Sequence, residues 1–250
     1  MSGMIDGFLR QVLESRPDIR QVVLFGKHID TRPFRPLFPT GTVVYDVAPE
    51  EVLAYKKERL KVRARGHESR RHLLTHTPPH RRPCDWPQPS HPHVLTRSAA
   101  IANFQDVRMT AGCMRVPVPA IEGEDLEALG RRLTSRAFQG SKTSAWLLHD
   151  MSLYCPTVED VTEVFEFVSN QLALESVLLG STSGSVEAAA LKEMLAGCML
   201  HGEVVDVPEA PGTVLFSAIQ TRRSEAETAL YHDHVEAMES IDEDYFDNFS

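Results

Sequence analysis

Short apolar runs alternate along this chain with stretches whose apolar residues recur at helical spacing. Runs typical of buried strands occupy residues 22–25, 42–46, 114–121, 143–148, 176–181 and 213–219. Helical spacing is found over residues 3–15, from residue 49 onward, and over residues 124–133, 157–172 and 188–200. Strands that alternate with helices predict an α/β fold, with a mostly parallel sheet and helices on both of its faces.

Two of the predicted helices carry a recognisable start signal. Thr157 is followed three residues later by Asp160, and Ser224 is followed in the same way by Glu227. In such pairs each side chain can satisfy a backbone N–H group of the other residue. The spacing therefore predicts helix starts at these two positions.

The most informative stretch runs from residue 19 to residue 60 and contains the first two strands. Gly26 follows the first apolar run, and Asp46 ends the second. A glycine after the first strand lets a ligand approach the backbone, and an acid ending the second can accept hydrogen bonds from ribose hydroxyls. This arrangement is typical of the front half of a nucleotide-binding α/β unit.

The full string in this region is more specific than the glycine alone. It contains Gln21-Val22-Val23, Gly26, Asp30-Thr31-Arg32 and Arg35, then Val44-Tyr45-Asp46-Val47, Glu50, Val52 and Lys56 to Leu60. It resembles the S-adenosylmethionine-dependent methyltransferases of the leucine carboxyl methyltransferase family, whose pattern reads roughly QVV-x-LGAGLDTR-x-R, then V-x-EVD-x-PEV. The segment from Trp146 to Tyr154 also resembles that family, where a strand ends in E-G/C-L/V-L-x-Y. The resemblance implies a Rossmann-like methyltransferase sheet.

The resemblance also implies a binding site for the cofactor S-adenosylmethionine. The positions that match the family's cofactor site are Gly26, Asp30, Arg32, Asp46, His149 and Asp150. Asp46 would hold the ribose, and His149 or Asp150 would lie near the methionine end. No motif assigns a catalytic residue. The family also uses an arginine from a longer N-terminal region, and this chain is expected to begin after that region.

Several positions depart from the family pattern. Lys27-His28 replaces Ala-Gly, Ala48 stands where the family has an acid, and His149 replaces a glutamate. Ala120 stands near the acid-leucine pair expected to contact adenine, unless Glu124-Asp125-Leu126 fills that role. Because each lost polar contact costs about 1 kcal/mol or more, these changes predict a much weaker affinity for the cofactor.

Two hypotheses about function follow from this pattern. In the first, the chain is a methyltransferase-fold pseudoenzyme and a structural or assembly subunit of a larger complex. Asp30, Thr31 and Arg32 would then form a buried polar cluster that holds the first loop. In the second, it is an active S-adenosylmethionine-dependent O-methyltransferase acting on a carboxylate or hydroxyl acceptor. The lost contacts favour the first hypothesis.

Charge is distributed unevenly along the chain. The whole sequence of 250 residues has a net charge of −9, yet residues 56–97 carry eleven Lys and Arg against three acids. This basic His- and Pro-rich insert, at about 62–97, interrupts an α/β domain predicted over residues 1–223. It predicts docking to other protein subunits, to RNA or to an acidic surface, and the alternative is a solvated basic helix with a surface loop. Residues 224–250 are predicted to form an acidic C-terminal helix and tail, with nine acids and no Lys or Arg from residue 225 onward.

The remaining composition restricts the cellular setting. The four cysteines form no CxxC pair, so neither a disulfide framework nor a metal site is predicted. No apolar run approaches the roughly 20 residues of a membrane span, and residues 1–16 lack a secretory signal. The sequence therefore predicts an intracellular protein of the cytoplasm or an organelle matrix.

Overall fold

The computed structural model describes residues 2–26, 29–35, 37–59, 112–120, 125–184 and 186–234. The strands in this part of the chain are β1 (Gln21–Phe25), β2 (Val43–Pro49), β3 (Met114–Ala120), β4 (Ser144–Leu148), β5 (Val177–Ser183), β6 (Leu200–Asp206) and β7 (Thr213–Gln220). The helices are α1 (Ser2–Ser15), α2 (50–59), α3 (Leu126–Ser135), α4 (Val158–Gln171), α5 (Ala188–Gly197) and α6 (225–234). Two short 3-10 helices lie at Arg32–Phe34 and Met151–Leu153.

The strands form one sheet in the order β3-β2-β1-β4-β5-β7-β6. Every neighbouring pair from β3 to β5 is parallel, whereas β7 is antiparallel to both β5 and β6. The prediction of a Rossmann-like, mostly parallel sheet is therefore confirmed.

Alternate residues of each strand point to opposite faces of the sheet, and helices pack against both faces. On β1, Val22 and Leu24 pack with Leu9 of α1 in one core cluster. Val23, between them, belongs to a second core cluster that contains residues of α3, α4 and α5. The result is a three-layer α/β/α arrangement. In sheets of this kind, the ligand site lies beyond the carboxyl ends of the parallel strands.

Both predicted capping pairs are present. Thr157 accepts a hydrogen bond from the backbone N–H of Asp160, and the Asp160 carboxylate accepts one from the backbone N–H of Thr157 at 2.9 Å. Ser224 and Glu227 make the same exchange at the start of α6, at 2.9 and 3.1 Å. Ser224 also donates to the carbonyl oxygen of Gly140 at 2.8 Å, so the start of α6 is bonded to the domain. Among the described helices, none is both long and apolar enough to span a membrane.

One strand was not predicted from the sequence. The helical spacing over residues 188–200 predicted a single long helix, but α5 ends at Gly197 and β6 begins at Leu200. Met199 between them has a φ of 58°, which reverses the chain. At Gly202 of β6 the chain lies so close to β7 that an added Cβ would sit 1.9 Å from the carbonyl oxygen of Ser217.

Candidate functional site

The carboxyl ends of the central parallel strands lie together at one end of the sheet. Phe25 of β1 pairs with Val47 of β2 and with Leu148 of β4, and Gly26 donates its N–H to the Val47 carbonyl oxygen at 3.2 Å. The residues one position beyond these pairs, read across the sheet from β2 to β5, are Ala48, Gly26, His149 and Ser181. After β1 the chain continues to β2, which lies on one side of β1 in the sheet, and β4 lies on the other side of β1. The space beyond the carboxyl ends of β1 and β4 is thus the topological switch point, where ligands of such sheets bind.

Asp30 and Arg32 lie in an ion-pair cluster in the loop after β1. Arg32 donates to the Asp30 carboxylate from its guanidinium and its backbone N–H, both at 2.8 Å, and to Asp6 of α1 at 2.5 Å. Arg35 donates to Asp6 and to the Thr31 hydroxyl. Burial of Arg32 by itself lowers its pKa, but the charges of Asp30 and Asp6 outweigh this and raise the pKa above its usual value. The cluster joins the loop to α1 through two acids and two permanently charged arginines.

Asp46 lies in the middle of β2, two residues before Ala48, and is 1% exposed. Both of its carboxylate oxygens accept hydrogen bonds from Lys56 Nζ, at 2.8 and 3.0 Å. Arg115 of β3 adds bonds from Nε at 2.9 Å and from Nη2 at 2.5 Å, and its guanidinium lies over the Phe34 ring. This buried Lys56–Asp46–Arg115 triad holds α2 and the edge strand β3 to β2. The residue of β2 that lies beside Gly26, at the carboxyl end of the strands, is Ala48.

Asp150 follows β4 at this switch point and adopts a left-handed conformation, with φ of 55°. The resembled family pattern has glycine or cysteine at this position, and glycine is the residue that takes positive φ without strain. The backbone N–H of Asp150 donates to the Ser181 hydroxyl at 2.9 Å. Its carboxylate oxygen Oδ1 accepts hydrogen bonds from Ser152 at 2.7 Å and from Ser183 at 3.2 Å. The hydroxyls of these two serines are 2.9 Å apart, so the three side chains form a connected polar group.

Tyr154 closes the same end of the sheet. Its ring packs edge-on against Phe25 at the end of β1, with the ring centroids 5.2 Å apart. The Tyr154 hydroxyl is buried and receives no hydrogen bond from the described part of the chain. Burial raises its pKa well above the usual value, and Cys155 and Asp150 raise it further. The Tyr154 hydroxyl is therefore protonated and uncharged at physiological pH.

The residues predicted as cofactor contacts thus fall into three groups. Gly26, His149 and Asp150 lie together at the edge of the sheet, and His149 is half-buried there. Asp30 and Arg32 belong to the loop cluster, and Asp46 belongs to the buried triad. Their role as cofactor contacts stays a prediction. Residues 27 and 28, whose larger side chains were predicted to weaken binding, and the basic insert at about 62–97 lie outside the described residues.

Several polar residues of these groups were not predicted as site residues. Asp6 lies on α1 between the buried Ile5 and the buried Leu9, so an acid on an apolar helix face was the available signal. Ser181 and Ser183 alternate at the carboxyl end of β5, which places both hydroxyls on one side of the strand. Arg115 carried no signal beyond being a cation inside a strand.

Comparison with known proteins shows which family the chain resembles as a whole. The profile of the leucine carboxyl methyltransferase family matches residues 2–169. O-methyltransferase 1, chloroplastic, of Oryza sativa subsp. japonica is 24% identical over 97% of this chain and 62% of its own length. A putative S-adenosyl-L-methionine-dependent methyltransferase of Mycobacterium avium (strain 104) is 26% identical over 72% of this chain.

These comparisons differ in how much of each protein they cover. This chain spans 62% of the rice relative's length and 44% of the mycobacterial relative's. Among solved structures, the CurJ carbon methyltransferase has a TM-score of 0.50 at 11% identity, covering 89% of this chain and 54% of that protein, and shows the same fold. The family profile covers well over half of the chain and includes the carboxyl ends of β1 and β4. The chain therefore belongs to the leucine carboxyl methyltransferase family.

Proposed function

We propose that the protein is an S-adenosylmethionine-dependent methyltransferase that transfers the methyl group to an oxygen of a carboxylate or hydroxyl acceptor. The observation that carries the proposal is the polar group around Asp150, which lies at the switch point between β1 and β4. Family membership supports the cofactor class, and the name of the rice relative supports an oxygen acceptor. That relative is named as chloroplastic, which supports an organelle matrix as the compartment.

The described residues fit the cofactor unevenly. Gly26 places a glycine at the end of β1, where a ligand must approach the backbone, and Asp150 offers a carboxylate next to it across β4. In contrast, the carboxylate of Asp46 is occupied by two cations and buried in the sheet. Asp30 and Arg32 are likewise bonded to each other and to α1. We infer that Gly26, His149 and Asp150 contact the cofactor, whereas Asp30, Arg32 and Asp46 hold the strands and loop that carry the site.

This division predicts weak binding of the cofactor. Ala48 at the edge of β2 has no group that can accept hydrogen bonds from the ribose hydroxyls. Each charge-assisted hydrogen bond contributes about 1.5–3 kcal/mol, so the loss of one or two moves a micromolar Kd to roughly 0.1–1 mM. When bound, S-adenosylmethionine supplies the activated methyl group. The protein then has to exclude water and align the acceptor oxygen with it.

The test is a titration of the purified full chain with S-adenosylmethionine and with S-adenosylhomocysteine. At 2 mM ligand and a Kd of about 0.1 mM, binding stabilises the folded state by roughly 2 kcal/mol, which raises the Tm of a domain of this size by about 4–7 °C. Calorimetry gives the Kd directly. A Tm that stays constant at millimolar concentrations of both ligands would overturn the proposal.

A second candidate function is a non-catalytic subunit of a larger assembly. The occupied Asp46 carboxylate and the alanine at the ribose position favour it, since both remove a cofactor contact. The basic segment, with eleven Lys and Arg over residues 56–97, would bind protein subunits, RNA or an acidic surface. Absence of any cofactor effect, together with co-purifying partners that are lost on deletion of residues 62–95, is the result expected for this function.

A further inference from the structure

An apolar pocket of about 240 Å³ lies between α1 and the outer strands of the sheet. Its apolar lining comes from one helix and three strands: Met4, Ile5, Phe8, Leu179, Val205 and Leu215. Met4, Phe8 and Val205 are exposed, so large apolar side chains from both walls meet solvent here. Exposed apolar side chains gathered around a concavity are typical of binding sites.

The pocket exists because α1 packs only on the inner strands of this face. Leu9 of α1 shares a core cluster with Val22 of β1 and Leu179 of β5. β7 and β6 lie beyond β5 in the sheet. Val205 of β6 and Ile219 of β7 remain exposed there. The fold thus leaves apolar surface beside α1 that a ligand can bury.

Both walls of the pocket continue to the switch point between β1 and β4. On β5, Leu179 lines the pocket, and Ser181 lies two residues further along on the same face, roughly 7 Å away. Ser181 accepts the hydrogen bond from the Asp150 N–H at 2.9 Å. On α1, Ile5 lines the pocket, and the next residue, Asp6, is ion-paired to the loop after β1. The pocket therefore adjoins the candidate site.

We propose that this pocket binds the hydrocarbon part of the methyl acceptor, an amphiphile with its carboxylate or hydroxyl at one end. This inference rests on the proposed function. An apolar cavity of about 150 Å³ holds benzene, so the present volume accommodates about eight to ten carbon atoms. Glu203, on the β6 side of the pocket, repels a carboxylate. The reactive end of the acceptor therefore lies on the β5 side, toward the switch point.

The transfer to such an acceptor balances without a further reactant. The acceptor oxygen forms the new bond to the methyl carbon, and the electron pair of the broken carbon–sulfur bond goes to sulfur. A carboxylate becomes a methyl ester with no proton released, whereas a hydroxyl releases one proton to solvent.

The test is a calorimetric titration of the full chain, saturated with S-adenosylhomocysteine, using straight-chain acids from butanoic to hexadecanoic acid and the matching primary alcohols, below their micelle concentrations. Each added CH₂ is expected to tighten binding about fourfold until the pocket is full. The gain should then level off before the end of the series. In methyl-transfer assays with S-adenosylmethionine, kcat/KM should follow the same dependence on chain length.

Two variants locate the hydrocarbon. Val205→Trp fills part of the pocket from an exposed position of β6, and Phe8→Gln makes the opposite wall polar at an exposed position of α1. Each should weaken the binding of decanoic acid about tenfold or more, with no change for butanoic acid or S-adenosylhomocysteine. Val158→Trp, at an exposed valine of α4 outside the pocket, is the matched control and should bind every ligand as the wild type does.

Equal affinity across the series, in a wild-type protein that binds S-adenosylhomocysteine, overturns the inference and leaves the proposed function standing. A dependence on chain length that neither variant changes places the hydrocarbon elsewhere and also overturns it. If light scattering shows a dimer that Val205→Trp dissociates, the pocket belongs to an interface with a second copy of the chain, and the inference fails. A wild-type protein that binds no cofactor ligand overturns the proposed function and the inference together.

Discussion

The Lys56–Asp46–Arg115 triad gives the sharpest prediction about stability. In Asp46→Asn the carboxylate is replaced by a neutral amide of nearly the same shape, which leaves two cations side by side in the sheet. The side chain of Lys56 is 1% exposed and that of Arg115 is 12% exposed, so water cannot replace the lost charge. Removing one member of a buried ion pair costs roughly 3–5 kcal/mol, and the upper end applies here because two cations lose their partner.

Removing the lysine of the triad instead of the carboxylate is expected to cost less stability. In Lys56→Met the carboxylate keeps both hydrogen bonds from Arg115, so the charge of Asp46 stays neutralised. The loss is then about 2–3 kcal/mol, from the two hydrogen bonds of Nζ. In the double variant Arg115 alone is left against a neutral amide, and the cost is expected to fall below the sum of the two single costs. Lys57→Met, which changes an exposed lysine of the same helix, is the control and should alter stability by less than about 0.5 kcal/mol.

The assay is urea unfolding followed by circular dichroism and tryptophan fluorescence, with cofactor absent. Native domains have only about 5–15 kcal/mol of stability, so Asp46→Asn should shift the midpoint far to lower urea or leave the protein unfolded at room temperature. The reasoning is refuted if Asp46→Asn is as stable as Lys57→Met. In that case the carboxylate would not be committed to the two cations and would remain open to a ribose.

Three further changes test other parts of the structure. Gly202→Ala should destabilise by about 3 kcal/mol in urea unfolding, because its Cβ would meet the Ser217 carbonyl at 1.9 Å, whereas Gly197→Ala has open space and should not destabilise. Thr157→Ala removes the capping box of α4 and should lower stability by about 1 kcal/mol, a Tm shift of roughly 2–4 °C, which a thermal scan would detect. For Tyr154 the folded-state pKa is raised, so its contribution to stability is complete below pH ~10 and is lost as the pH rises above that value. Tyr154→Phe should therefore match the wild type at pH 7 and lose less stability between pH 9 and 11, and equal losses in the two proteins would count against a buried phenol.

Much of the fold was accessible from the sequence because its strongest signals are local. The apolar run at 22–25 and the capping pair at Thr157 each specify an element through nearest neighbours, and both are present in the structure. β6 escaped prediction because the left-handed residue after α5 is Met199, which does not mark a turn by itself, and Gly197 two residues earlier was included in the predicted helix. Conformations that depend on tertiary packing leave no such mark.

The candidate site was harder to predict for a related reason. Sequence order shows that Asp46 ends an apolar run, but it does not show that β2 continues to Pro49 and that the acid is therefore two residues short of the edge. Nor does it show that Arg115, 69 residues further along, reaches the same carboxylate. For Asp150 the clue was present: an acid where the resembled pattern has glycine indicates an unusual backbone. Only the structure shows that its carboxylate also collects two serine hydroxyls.

The position of the triad also affects where the chain tolerates interruption. Lys56 lies just before residues 60–111 and Arg115 lies just after them. The Asp46 carboxylate therefore forms ion pairs with one residue on each side of that segment. Strand β3 is joined to β2 by seven paired residues, which holds the same junction independently. Polypeptide added between these two junctions leaves both fastened ends in place. Two fragments separated within this connection should accordingly reassemble when co-expressed, which makes it a natural location for a split reporter or an affinity tag.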